Sequence, residues 1–268
     1  MRFEKWHGIG NAYLVIEQDD LAVDLTPARV ERICHPDLGA GSDGILLVGG
    51  VREHGQQVRI FNPDGSEAEF SGNGTRIAAC YLMRRDGVQQ LTMQTLKGAI
   101  GAERHGHAIT IDAGRASLES AADHRPDGGP PPADAYTFVS VGNPHCVVEV
   151  DDPAAVDLHG EGARIERHAW FPNRVNVEFY RPVSEHEIAL RVWERGAGET
   201  LSSGSCATAA AVAAVVAGRA QSPVTVHMDG GDLAIEIGED LAVRLTGPVE
   251  RIHGGVFDDS FVRTLEAL

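Results

Sequence analysis

Two serines pose the first chemical question in this chain. Ser71-Gly72-Asn73-Gly74 and Ser203-Gly204-Ser205 each follow a short β-type run and precede an Ala-rich stretch, Gly74 to Arg85 and Ser205 to Gly218, that reads as a helix. A helix start leaves its first N–H groups without intrahelical partners and carries partial positive charge. Glycine beside those groups lets an anion come close. Two such starts facing each other would clamp a carboxylate and set one hydroxyl on either side of it, an arrangement suited to moving a proton at the carbon that bears the carboxylate. Serine is also a favoured helix N-cap, and either serine alone reads that way. The functional reading rests on finding both at matching places.

The matching extends along the chain. A shift of 132 residues lays Arg59 on Arg191, Glu67 on Glu199, Ser71 on Ser203, Gly72 on Gly204, and Ala78-Ala79 on Ala210-Ala211. It also lays Gly10-Asn11 on Gly142-Asn143 and Gly98 on Gly230. A period this long is not a solenoid repeat and implies two similarly folded domains. The segment 120–135, with Pro126, Gly128, Gly129 and Pro130 to Pro132, has the composition of a linker or exposed loop. Domains are expected over 1–119 and 136–254, with 255–268 a tail packing on the first. Alternating apolar runs predict strands at 58–61, 109–111, 146–150, 188–193, 224–228, 233–237 and 241–245.

The 268 residues, 43% hydrophobic, suffice for a substantial core in one or two domains. The net charge of −16 argues against nucleic-acid and membrane-surface partners. The N-terminus has no apolar signal core, and the longest apolar run, Ala207 to Ala217, is too short to span a bilayer. The four cysteines form no CxxC pair or zinc module, which fits free thiols in a reducing cytoplasm. No metal and no cofactor are expected; Lys5 and Lys97 are the only lysines, and neither stands by a phosphate-cradling loop. Gly8-Ile9-Gly10-Asn11 lacks the third glycine of a dinucleotide fingerprint. His105 and His107 read as solvated residues of a hairpin turn, and Cys34 and Cys80 as core residues.

At this point the motifs resemble one family. Met1 to Asn11 is similar to the opening strand and K-x-H-G-x-G-N element of the cofactor-independent diaminopimelate epimerases. Phe61-Asn62-Pro63-Asp64-Gly65-Ser66-Glu67 resembles their F-N-x-D-G-S-E, Ser71 to Arg76 their C-G-N-G-x-R, and Gly142 to Val147 their G-N-P-H-x-V. Trp193 to Thr200 resembles [YW]-E-R-G-x-G-E-T, and Ser203-Gly204-Ser205 resembles C-G-[ST]. The resemblance implies an α+β fold of two pseudo-symmetric domains, each a mixed β-sheet or barrel curled around a central helix, with the active site in the interdomain cleft. It implies a small-molecule amino-acid substrate in lysine and peptidoglycan precursor synthesis, a cytoplasmic isomerase needing no PLP, and a homodimer.

Residue by residue, the resemblance implies that Gly72, Asn73, Gly74, Gly204 and Ser205 bind the carboxylate at the reacting carbon. Asn11, Asn62, Asn143, Asn176 and Arg195 would hold the rest of the substrate, Glu194 would receive an amine, and His145 and Glu194 would flank the acid/base pair. Fork-like donors suit a carboxylate. The catalytic positions themselves, Ser71 and Ser203, hold serine where the family keeps cysteine. A thiol titrates near ~8.5, and an aliphatic hydroxyl lies close to water at ~15.7; that gap of about seven units is roughly 9–10 kcal/mol. A helix end contributes on the order of 1–2 kcal/mol. Each serine therefore needs a neighbouring base, and Glu67, Glu199, His145 and Glu194 are the first candidates. A local shift would instead bring Cys206 toward the substrate; otherwise it is a buried helix residue. A racemase or dehydratase on the same fold, and a binding protein that has lost the chemistry, remain alternatives.

Overall fold

The computed structural model describes residues 1–52, 55–119, 132–133 and 135–268. The expected linker thus lies almost wholly outside the described residues. The chain forms two compact units, one of Met1–Asp112 with Gly247–Leu268 and the other of Ala113–Thr246. The second unit ends at Thr246 rather than 254, because strand Glu250–Val256 pairs antiparallel with the first strand, Arg2–Gly8. Residues 255–268 are part of the first unit. Their helix Asp259–Glu266 sets Leu265 into a core with Leu14, Ile16, Val30, Ile33 and Phe257, and Arg29 Nε donates to the Leu265 carbonyl at 2.8 Å.

The fold is mixed α+β and dominated by strands, and one buried helix lies at the centre of each unit. In the first, Gly72–Asp86 starts at the Ser71 cap and stops at Gly87, which takes the left-handed φ of 68° that glycine tolerates without cost. Ile77, Ala78, Ala79, Leu82 and Met83 are buried on it. It packs against strands Arg2–Gly8, Asn11–Glu17, Gln90–Thr95 and Gly98–His105. In the second unit the helix is Gly204–Val216, apolar all round. It packs against Thr137–Ser140, Pro144–Glu149, Asn176–Ser184, Glu187–Glu194 and Gly231–Ile237. A helix buried on every face needs sheet on several sides, and the two Ala-rich stretches supply the small side chains that let strands approach.

The internal repeat is visible in strand register. Leu14 pairs in parallel with Ile45, and 132 residues on Cys146 pairs in parallel with Val177. Ile45 pairs with Phe61 as Val177 pairs with Trp193, and Phe61 with Glu67 as Trp193 with Glu199. Even an ion pair recurs: Arg59 Nη2 to Glu67 Oε2 at 2.8 Å and Arg191 Nη2 to Glu199 Oε1 at 2.5 Å. Beyond the helices the register slips by one. Gly98, opposite Thr95, corresponds to Gly231, opposite Met228, and not to Gly230. All four cysteines are buried and unpaired. Among the described residues no helix is long and apolar enough to cross a membrane.

The C-terminal helix is thus part of a core, and Leu265 at 0% exposure is its anchor. Leu265→Ala is expected to cost about 2–5 kcal/mol of unfolding free energy, read from the denaturant midpoint; a loss under about 1 kcal/mol would mean that the helix is peripheral.

Candidate active site

In the first unit the strand Gly55–Phe61 reverses through Asn62-Pro63-Asp64-Gly65. Gly65 N–H donates to the Asn62 carbonyl at 2.9 Å with φ at +81°, and a side chain there would strike Pro27. Asn62 Nδ2 donates to Ser66 Oγ at 2.9 Å and so serves the turn. The chain then reaches Ser71 in extended conformation, and its Oγ accepts the Gly74 N–H at 3.1 Å. The same oxygen lies 3.0 Å from the Tyr13 hydroxyl. Beneath the helix start is Arg76, fully buried, donating to the Gly72 carbonyl at 3.1 Å and to Asn73 Oδ1 at 2.8 Å, with its Nε lacking an acceptor. Burial lowers its pKa to about 9. Asn73 Nδ2 reaches Asn11 Oδ1 at 3.3 Å, and Asn11 Nδ2 reaches Asp43 at 3.1 Å. Asn11, Ser71, Gly72, Asn73 and Gly74 are therefore one cluster, and its buried cation favours an anion at the helix start.

In the second unit Ser203 repeats the cap, its Oγ accepting the Cys206 N–H at 3.4 Å and lying 3.4 Å from Ser205 Oγ. Glu194 Oε1 accepts the Thr200 hydroxyl at 2.7 Å. Burial pushes the Glu194 carboxyl above the usual range, against the opposing pull of the Thr200 and Ser203 hydroxyls and the His145 ring. His145 is fully buried, with Nε2 2.9 Å from Asn143 Oδ1 and Nδ1 2.6 Å from Glu178 Oε1. Asn176 Oδ1 accepts the Arg195 N–H at 2.9 Å, and its Nδ2 donates to the Pro144 carbonyl at 3.1 Å, so this side chain clamps two loops. The Arg195 side chain is exposed, its nearest acceptor the Asn173 carbonyl at 3.5 Å. Asn143, His145, Asn176, Glu194, Arg195, Ser203, Gly204 and Ser205 form the second cluster.

Two candidate activators are elsewhere engaged. Glu67 is held low by its hydrogen bonds to Arg59, and Glu199 by those to Arg191 and His159. Each is committed to an arginine on the facing strand and staples a hairpin. Cys206 is a fully buried helix residue, its thiol pushed well up by burial and by the Glu178 and Glu194 charges; Ser203, not Cys206, holds the cap that matches Ser71. His145, Glu178 and Cys206 bring ligand-type atoms within 4.8 Å of one another. The 2.6 Å separation of His145 Nδ1 and Glu178 Oε1 is a direct hydrogen bond. Two donors on one tetrahedral zinc stand about 3.3 Å apart, so an ion here would have to break that bond.

Tyr13, Glu166 and Glu178 go unnamed by the motifs, and Arg76 stands in one with no role assigned to it. Tyr13 reaches Ser71 from strand Asn11–Glu17, Glu178 reaches His145 from strand Asn176–Ser184, and Arg76 turns back from its own helix onto Gly72 and Asn73. Glu166 accepts from Trp193 Nε1 at 2.9 Å, Gly196 N–H at 3.0 Å and Arg174 at 3.3 Å, and so fixes the turn that carries Glu194 and Arg195. A signal for Glu178 existed: a carboxylate set between Val177 and Phe179-Tyr180 must be partnered when that strand is buried.

The family model described as diaminopimelate epimerase matches residues 3–119 and 137–252. The chain belongs to the diaminopimelate epimerase family. It is 39% identical to the diaminopimelate epimerase of Desulfitobacterium hafniense over 96% of this chain and 98% of that one. It is 38% identical to that of Pelotomaculum thermopropionicum, over 96% and 99%. These relatives are PLP-independent isomerases. The fold is shared more widely. A predicted epimerase of Pseudomonas aeruginosa superposes with a TM-score of 0.67 at 20% identity, covering 96% of this chain and 98% of that one. A probable proline racemase of Agrobacterium radiobacter gives 0.70 at 13%, covering 98% and 95%. In this member of the family the two hydroxyls cap their helices, and that of Ser71 also contacts the Tyr13 phenol.

Burial raises the pKa of Glu166, but its three hydrogen bonds and the Arg174 charge outweigh that, and its pKa is lowered in the folded state. A depressed carboxylate contributes stability that is complete above the unfolded value of about 4.3 and is lost as pH falls through the folded value. Glu166→Gln is expected to destabilise the protein by about 2–4 kcal/mol at pH 7 and to flatten the acid limb of its stability below about pH 4.3. Unfolding curves at pH 7 and in acid check both; an unchanged acid limb would remove Glu166 from this role.

Proposed function

We propose that this protein interconverts LL- and meso-diaminopimelate by moving the α-proton without PLP, in the cytoplasm and as a homodimer. The observation that carries the reading is the pair of matching caps, Ser71 Oγ on the Gly74 N–H and Ser203 Oγ on the Cys206 N–H, with a carboxyl in the second unit, Glu194, whose basicity burial has raised. A raised carboxyl accepts a proton near neutral pH more readily than an ordinary one, and a hydroxyl between it and the substrate passes the proton on. Two-sided epimerisation needs a proton carrier for each face of the carbon, and the chain carries two capped helix starts. Gly72, Asn73, Gly74, Gly204 and Ser205 would bind the α-carboxylate. Asn11, Asn62, Asn143 and Asn176 would order the substrate, and Arg195 would take the distal carboxylate. A long dicarboxylate suits that donor set better than a proline ring does.

The test is product analysis with LL-diaminopimelate. Meso product with solvent hydrogen at the α-carbon is expected. An unsaturated product would mean a dehydratase, and binding without exchange a ligand-binding protein. Because a hydroxyl is intrinsically the weaker acid, Ser71→Cys combined with Ser203→Cys is expected to raise the rate at least about tenfold, with each single change doing much less. If the double variant binds substrate and gains nothing, the serines are not at the proton-carrying positions.

A further inference from the structure

The internal repeat assigns a counterpart to Tyr13. Leu14 pairs with Ile45 as Cys146 pairs with Val177, so Tyr13 occupies in the first unit the place that His145 occupies in the second. By the same register Gly44 stands where Asn176 stands, Leu46 where Glu178 stands, and Asn62 where Glu194 stands. The first unit thus has neither the imidazole nor the carboxylate of the second. It has a phenol instead, 5% exposed, with its oxygen 3.0 Å from Ser71 Oγ. Room for the ring is built in: Gly44 has a φ of +155°, and a Cβ there would come within 2.6 Å of Tyr13 Cε1.

We propose that Tyr13 is the proton reservoir of the first unit, acting on substrate only through the Ser71 hydroxyl. This rests on the epimerase reading and supplies the neighbour that Ser71 otherwise lacks. In the returning step the Ser71 O–H bond breaks as the new Cα–H bond forms, and Ser71 Oγ takes the phenolic proton. The charge is left as a Tyr13 phenolate and not as a serine alkoxide. A phenol titrates near ~10, several units below an aliphatic hydroxyl. In the reverse step the phenolate takes the Ser71 proton as Ser71 Oγ takes the α-proton. With Glu194 as the acceptor in the second unit, one turnover leaves a phenolate and a carboxylic acid, and exchange with water restores both. The Gly74 N–H on Ser71 Oγ holds the hydroxyl between substrate and phenol.

The experiment is α-deuterium incorporation into diaminopimelate in D2O across pH, using the full chain. Tyr13→Phe is expected to lower the exchange rate by about 100-fold while the dissociation constant for diaminopimelate moves less than about threefold. Tyr13→Phe combined with Ser71→Ala should be no slower than the slower single variant, since groups that act as a unit are not additive. Incorporation of 3,5-difluorotyrosine at position 13, which keeps the hydroxyl and makes it more acidic, should move the alkaline limb of the pH profile to lower pH. A purely structural hydroxyl would leave that limb in place. Exchange by Tyr13→Phe within threefold of native, or an unmoved limb in the fluorinated protein, overturns the proposal while leaving the epimerase reading intact. Native protein that binds diaminopimelate and exchanges no α-proton overturns both.

Discussion

The position of one oxygen atom per unit governs the rest of the molecule. A serine that caps a helix must lie in extended backbone while its side chain reaches back to the third N–H of the helix. Ser71 and Ser203 meet that demand with φ of −139° and −144°. The hairpin before each is fixed by an Arg–Glu pair, Arg59 with Glu67 and Arg191 with Glu199. The helix after each is buried among strands. The hydroxyl is therefore placed by fold, hairpin and cap together, and in the first unit it is held against the Tyr13 phenol.

The two units solve the same problem with different chemistry. In the second, His145, Glu178 and Cys206 fill positions that Tyr13, Leu46 and Gly74 hold in the first. Burying Glu178 requires a partner, and His145 supplies it at 2.6 Å. The first unit keeps an apolar leucine there and concentrates its polarity at the helix start, where the buried Arg76 adds a positive charge. A duplicated frame with unlike side chains suits a reaction in which one face loses a proton and the other gains one.

Much of this was legible in the sequence because it is local. The capped helices, the N-P-D-G turn and the repeat all lie within windows of a few residues, and the helices expected from 74 and 205 begin at Gly72 and Gly204. What was not legible depends on strands distant in sequence. Glu250–Val256 is mostly exposed and carries no core pattern, yet it pairs with Arg2–Gly8 and moves the boundary between the units. Tyr13 lies in an apolar strand where a phenol reads as packing, and its contact with Ser71 spans 58 residues. Glu67 and Glu199 were plausible bases from proximity in sequence alone, but each is bonded to an arginine on the facing strand of its hairpin. The repeat itself held the missing signal, since the same shift that lays Ser71 on Ser203 lays Tyr13 on His145.

The central claim is that two separate carriers, one per face, move the proton. The isotopic course of a single excess-substrate reaction in D2O tests it most directly. LL-diaminopimelate is supplied in protium form, and deuterium at the α-carbon is followed separately in remaining substrate and in early product by mass spectrometry. Distinct carriers predict early meso product that carries solvent deuterium while unreacted LL substrate stays protiated. Meso product that retains the original protium would mean that one group removes and returns the same proton, and would contradict the account.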